Sequence, residues 1–280
     1  MFGKISIPDD FVSAMTSITI YIQIPLISNF FPPQIETENY FQIELSYLFL
    51  YFMSQYGFVK ISRDIKQALP NPGEPKPHTS VDLPNSKLAT NIFQYAQARL
   101  PQETLNHSLR VYLYCKALIA DHFPDWNLDL EVVYTTCLLH DIGTTNENMH
   151  ATKLSFEFYG GIISRDLILQ QTNGSQDYAD AVCEAIIRHQ DLGDSGYITT
   201  LGLIIQLATI LDNVGLNDHL IHIDTLDAAN KKYSRKNWLG CFAKAIDNEN
   251  SIKPWGHTSK LGVDTFRNDV LANKLRYEKL

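Results

Sequence analysis

Three stretches of this 280-residue chain put histidine and aspartate on faces that are otherwise apolar. In Cys137-Leu138-Leu139-His140-Asp141-Ile142-Gly143 an apolar helix ends in His-Asp. Neighbouring helix positions lie about 100° apart, so both side chains can converge on one cation beside the helix end. A hydrogen-bonded His–Asp cap accounts for the same pair. His107 shares a helix face with Val111, Tyr114 and Leu118, at +4, +7 and +11. His189 follows Val182, Ala185 and Ile186, at −7, −4 and −3, and so faces inward at a helix end. Taking imidazole and carboxylate out of water is costly unless they are paired or bound to a cation. His122, His150, His219 and His222 have no such setting and read as surface or loop residues. His257 closes Lys253-Pro254-Trp255-Gly256-His257, a rigid aromatic loop able to cap a pocket.

The elements that must position these residues are helical. Periodic apolar spacing predicts helices from Asn85 or Ser86 to about Leu100, over 104–122 with Thr104 as cap, and over 129–142, stopped by Gly143 as a C′ residue. Others are predicted over about 151–171, 177–190, 197–214, 224–231, 234–248 and 264–273. Period-2 alternation is missing after residue 84, so residues 85–280 are expected to form an all-α body. Residues 53–84, with Pro70-Asn71-Pro72-Gly73-Glu74-Pro75-Lys76-Pro77, read as a Pro-rich extended arm. Residues 1–52 differ in composition: one basic residue against five acidic ones, and eleven of the 28 Phe and Tyr. They read as an atypical aromatic extension outside the core, with no apolar run of the ~18 residues that a spanning helix needs.

Charge sets the class of partner. With 23 Lys+Arg against 31 Asp+Glu, a net of −8, the chain lacks the basic footprint of a nucleic-acid or anionic-membrane binder. A small neutral substrate suits that balance, whereas a strongly charged anion needs a local basic pocket. Cys115, Cys137, Cys183 and Cys241 lie in apolar helical stretches and form no CxxC, which points to reduced thiols in a reducing compartment, the cytoplasm. Apolar residues such as Trp238 and Phe242 leave room for a homo-oligomeric face, a homodimer by preference, and equally for a single-chain core.

The order His107 … His140-Asp141 … Ala208-Thr209-Ile210-Leu211-Asp212-Asn213 resembles the H…HD…D pattern of HD-domain metalloenzymes. Finer text resembles the fungal cyanamide hydratases: Asn106-His107-Ser108-Leu109-Arg110-Val111, Thr136-Cys137-Leu138-Leu139-His140-Asp141-Ile142, Glu184-Ala185-Ile186-Ile187-Arg188-His189-Gln190-Asp191 and Lys253-Pro254-Trp255-Gly256-His257-Thr258. The likeness runs from about Met53 to the C-terminus. It implies an all-α HD-domain helical bundle, a bound metal ion and detoxifying hydration of cyanamide to urea.

Within that pattern one residue departs. Thr209 stands where the fourth ligand, an Asp, usually lies. Three protein ligands then remain, His107, His140 and Asp141, although Asp212, three residues on and near the same face, could replace the missing one. Two imidazoles, one carboxylate and an open position suit one catalytic Zn²⁺ per chain. An activated water would attack the nitrile carbon, with His189 moving protons and Thr209 orienting the water. Asp212 and Asn106 would support the histidine rings, and Asn106 and Trp255 would border the substrate. The competing readings are an HD-type phosphohydrolase acting on a nucleotide monophosphate, with Arg110 and Arg188 available to its phosphate, and a non-catalytic HD module.

Overall fold

Helix α3 (Gln102–His122) is enclosed by protein over most of its length, from Thr104 to Ile119, apart from half-buried Lys116. A helix buried on nearly every side runs through a core rather than along a surface, and its buried polar side chains, Asn106, His107 and Arg110 among them, need partners inside. Around it the computed structural model, which describes residues 54–262, 264–275 and 277–278, places a bundle of helices. The expected 1–52 extension lies outside the described residues.

Strand β1 (Lys60–Ser62) and helix α1 (Ile65–Ala68) come first, followed by α2 (Lys87–Arg99), whose Ser86 cap accepts from the Ala89 amide. Ala89, Ile92 and Ala96, at i, i+3 and i+7, are its buried stripe. After α3 come α4 (Leu130–Leu139), a 3₁₀ turn at Ile142–Thr144, and α5 (Asn146–Ala151). Helices α6 (Phe156–Gln171) and α7 (Gln176–Arg188) form a closely packed pair, joined through left-handed Asn173 and Gly174. Strand β2 (Tyr197–Thr199) leads into α8 (Thr200–Val214), which lies against α3 and is as deeply buried. Helices α9 (Ile223–Lys232), α10 (Trp238–Ile252) and α11 (Thr265–Leu271) close the bundle. The main core is continuous from α2 to α9, and a smaller one joins Trp238, Leu239, Phe242 and Ile246 of α10 to Phe266 and Val270 of α11.

The fold is all-α, with small departures from the sequence reading. Strands β1 and β2 pair antiparallel, Lys60 opposite Thr199. Strands of three residues are too short to show a period-2 pattern. Residues 69–85 hold no helix or strand. They are tied to the bundle through Lys76 N–H to Asp121, the His78 ring to Asp121 at 2.9 Å, and His78 N–H to the Thr225 hydroxyl. Thr104 does not cap α3, which begins at Gln102 behind Pro101. The predicted helix 151–171 breaks at Thr152 and resumes at Phe156. Trp238 and Phe242, 1% and 2% exposed, belong to the core and offer no oligomeric face.

Helix α4 ends at Leu139 rather than 142, and Gly143 is not a left-handed C′ residue. It lies in the 3₁₀ turn, where an added Cβ would clash with the Phe156 carbonyl oxygen. The glycine lets the turn after His140-Asp141 pack directly on the start of α6. Overpacking against rigid backbone typically costs 1–3 kcal/mol or more. Gly143→Ala should therefore lower the melting temperature by roughly 4–10 °C. An unchanged melting curve would show that the approach is not close.

Candidate metal centre

Four helices bring the chemistry together. α3 carries His107, α4 ends on His140 with Asp141 next in chain, α7 ends on His189, and α8 carries Thr209 and Asp212. His107 Nε2 lies 3.1 Å from His140 Nε2 and 3.6 Å from Asp141 Oδ2. His140 Nε2 is 3.3 Å from the same oxygen, and His189 Nε2 is 3.8 Å from Asp141 Oδ1. Ligand atoms of His107, His140 and Asp141 all fall within 4.8 Å of one another. The four side chains are at most 2% exposed.

Each imidazole is held in one tautomer by its far nitrogen. His107 Nδ1–H donates to Asp212 Oδ2 at 2.7 Å, His140 Nδ1–H to the Cys137 carbonyl at 2.7 Å, and His189 Nδ1–H to the Ile186 carbonyl at 2.7 Å. All three rings therefore present an Nε2 lone pair to the centre, the arrangement that prepares histidine for a metal. Neither carboxylate oxygen of Asp141 has a hydrogen-bond partner. Two facing lone pairs and an unpaired buried carboxylate repel one another unless a cation lies among them. The donor set fits a metal ion, with His107, His140 and Asp141 as the residues able to hold it.

Titration follows the same geometry. Burial, opposed by Asp212, lowers His107 from 6.5 to about 4. Burial also acts to lower His140, but Asp141 outweighs it and raises the net value. For Asp141 burial acts upward, yet His140, His107 and His189 together hold it well below the usual carboxylate range. His189 is lowered by burial and by His140. Without a metal, Asp141 thus favours the protonated form of His140, while burial favours the neutral forms of His107 and His189.

Asp212 does not join that set. It lies behind the His107 ring, on the Nδ1 side. Its oxygens also accept from Arg110 Nε and Nη2 at 3.0 and 2.8 Å and from Arg235 Nη1 at 2.8 Å. Burial acts to raise its pKa, and the two guanidiniums with His107 hold it well below the usual range. Asp212 is therefore engaged as the fixed acceptor that orients His107, and its reading as a replacement ligand is corrected. Thr209, one turn earlier, donates its hydroxyl proton to the Ile205 carbonyl at 2.9 Å, with the Gln206 carbonyl at 3.2 Å.

A family model for the HD domain matches residues 104–214, which runs from the start of α3 to the end of α8 and includes every residue of the cluster. Two Saccharomyces cerevisiae proteins, cyanamide hydratase DDI2 and cyanamide hydratase DDI3, are each 58% identical to this chain over 225 residues, 80% of this chain and 100% of each relative. The chain belongs to the cyanamide hydratase family of HD-domain proteins.

Several residues singled out in the sequence have other places in this member of the family. Asn106 does not border the centre: its amide donates to the Ser234 carbonyl at 2.7 Å and accepts from Gln102 at 2.8 Å, tying α3 to the segment before α10. Trp255 is 61% exposed, its indole N–H donating to the Lys153 carbonyl, so it does not cover the buried cluster. Arg110 is neither solvent-facing nor available to a phosphate, because it is fully buried against Asp212. Arg188 pairs with Glu184 and Asp191 near the surface. The loop histidine His257 bonds to buried Glu157 at 2.6 Å. The sequence reading missed Arg235 and Trp238. Trp238 stacks on His107 with centroids 4.1 Å apart and 12° between planes. Arg110 carried a signal, three residues after His107 on one face, whereas nothing local marks Arg235 or Trp238.

Protons and metal compete for the same nitrogens. His140 holds its proton to a pH above its ordinary 6.5, and His107 gains one only near 4. Metal affinity should fall as pH drops from neutral, first with one proton taken up per metal released and with a second near pH 4. Measuring the metal dissociation constant against pH checks this, and a flat profile from pH 7.5 to 5 would contradict it.

Proposed function

We propose that this chain hydrates cyanamide to urea, using a zinc ion held by His107, His140 and Asp141. Identity to the two yeast cyanamide hydratases along their whole length is the observation that carries the reading. The donor set supports zinc: two imidazoles and one carboxylate leave a position open for water or substrate. Bound there, zinc supplies Lewis acidity and lowers the pKa of a coordinated water to about 7.

The chain's own groups do the rest. Neutral His189, its Nδ1–H fixed on Ile186, offers Nε2 as the base that takes a proton from water. The same nitrogen returns that proton to the nitrile nitrogen as the new C–O bond forms. One O–H bond breaks, one N–H bond forms, and no proton need leave the site. Moving a further proton from oxygen to nitrogen converts the isourea product to urea. Thr209, its own proton on Ile205, keeps oxygen lone pairs that can accept from and orient a water. Asp212 positions the His107 ring. Burial of the whole set keeps bulk water from screening these interactions.

The wider setting belongs to the same proposal. Four free thiols support a reducing compartment, the cytoplasm, and removal of a reactive nitrile is a detoxification. No helix among the described residues is long and apolar enough to cross a membrane. A homodimer is the assembly we propose, to be read by sedimentation. We place the start of the catalytic body near Met53, where the composition changes; a match of 225 residues is of a length that fits between there and the C-terminus. A chain starting at Met53 should keep full urea production, and an inactive truncation would place residues 1–52 in the working enzyme.

Purified protein should contain about one zinc per chain and release urea from cyanamide; protein without metal that still forms urea would overturn the zinc reading. His140→Ala should lose metal and activity together. His189→Asn should keep zinc and slow turnover by about 10²–10⁴-fold. Thr209→Val should keep zinc and lose on the order of 10²-fold. If Thr209→Val instead loses the metal, Thr209 is a ligand and the three-ligand set is wrong.

A further inference from the structure

The chain end reaches the metal centre through an unbroken line of charged groups. Glu278 Oε2 accepts from Arg235 Nε at 2.6 Å, and Glu278 Oε1 accepts from the Leu239 amide at 2.9 Å. Arg235, fully buried, passes its other nitrogens to Asp212: Nη1 to Oδ1 and Nη2 to the backbone carbonyl, both at 2.8 Å. Asp212 then holds His107 Nδ1 at 2.7 Å. The segment between α9 and α10 is the hinge of this line. Lys236 and Asn237 both take left-handed backbone, at φ 50° and 63°, which bulky residues seldom adopt unless held there. That bend sends Arg235 to Asp212 and Trp238 to the flat face of the His107 ring. Trp238 is itself fixed by its indole N–H to Asn213 Oδ1 at 3.0 Å.

We propose that Glu278 is a positioning residue for the metal centre: it fixes Arg235 and the start of α10, and through Asp212 and Trp238 holds the His107 ring on its edge and its face. The charge count along the line supports this. Asp212 alone faces two buried guanidiniums, and Glu278 supplies the second negative charge that balances them. Without it Arg235 is left with an unpaired buried N–H and a freer side chain, and the ring behind Asp212 loses a fixed support. This assignment rests on the reading of His107 as a metal ligand. It extends the site beyond residues 104–214 to a side chain near the C-terminus.

Glu278→Gln keeps the shape and removes the charge. Two readouts test it in the full-length protein, with Asp247→Asn, which breaks a surface pair to Arg267, as the charge-matched control. Competition with a chromogenic zinc chelator should show Glu278→Gln binding zinc about 10–100-fold more weakly, with Asp247→Asn unchanged. In metal-free protein, ¹⁵N-histidine spectra should show His107 as a single Nδ1-protonated tautomer in the wild type and a mixture in Glu278→Gln. Wild-type zinc affinity in Glu278→Gln overturns the proposal, even if the melting temperature falls, because a merely structural contact would lower stability alone. A wild type that binds no zinc defeats the zinc reading instead. The histidine spectra then decide the positioning role by themselves: a mixed tautomer supports it and an unchanged one ends it.

Discussion

Two imidazole lone pairs 3.1 Å apart, beside a carboxylate with no hydrogen-bond partner, cannot be buried together without a positive charge among them. That constraint organises the molecule. It explains why three ring nitrogens facing away from the centre are tied to acceptors, since each tie fixes the tautomer that exposes Nε2. It also explains why two of the acceptors are carbonyls in the last turns of α4 and α7, Cys137 and Ile186, which lie within reach of a histidine ending the helix; the Ile186 oxygen takes both the ring N–H and the backbone N–H of His189. The metal centre is thus made from helix ends, with α3 and α8 passing alongside to add His107 and its acceptor.

Burial carries a cost that the surroundings offset. Asp212 in a dry interior is tolerable because two guanidiniums and one imidazole N–H satisfy its oxygens. The same contacts engage both of its oxygens behind the His107 ring, on the side away from His140 and Asp141. Arg110, which in isolation looks like a phosphate ligand beside His107, is held by Asp212 instead.

Much of this was legible in the sequence because it is local. Periodicity located most of the helices, and the apolar faces carrying His107 and His189 marked both as inward-facing. His140-Asp141 at the end of an apolar run was visible for the same reason. Other features are set by contacts between distant segments. Gly143 reads as a helix stop, but its lack of a side chain serves the approach of Phe156, thirteen residues on. Asn106 neighbours a site residue in sequence and points instead to Ser234. Trp255 sits in a motif shared with the resembled family, and its ring is at the surface. Arg235 and Trp238 follow an irregular bend that no periodic pattern encodes, so their place against Asp212 and His107 emerges only from the folded chain.

A metal ion in the gap between His107, His140 and Asp141 would show in anomalous diffraction at the zinc edge, on crystals of protein purified without added chelator. One peak is expected about 2.0–2.2 Å from His107 Nε2, His140 Nε2 and an Asp141 carboxylate oxygen, with Asp212 outside the coordination sphere. A peak bound by Asp212, or a fully ordered centre with no peak and no other metal in its place, would contradict it.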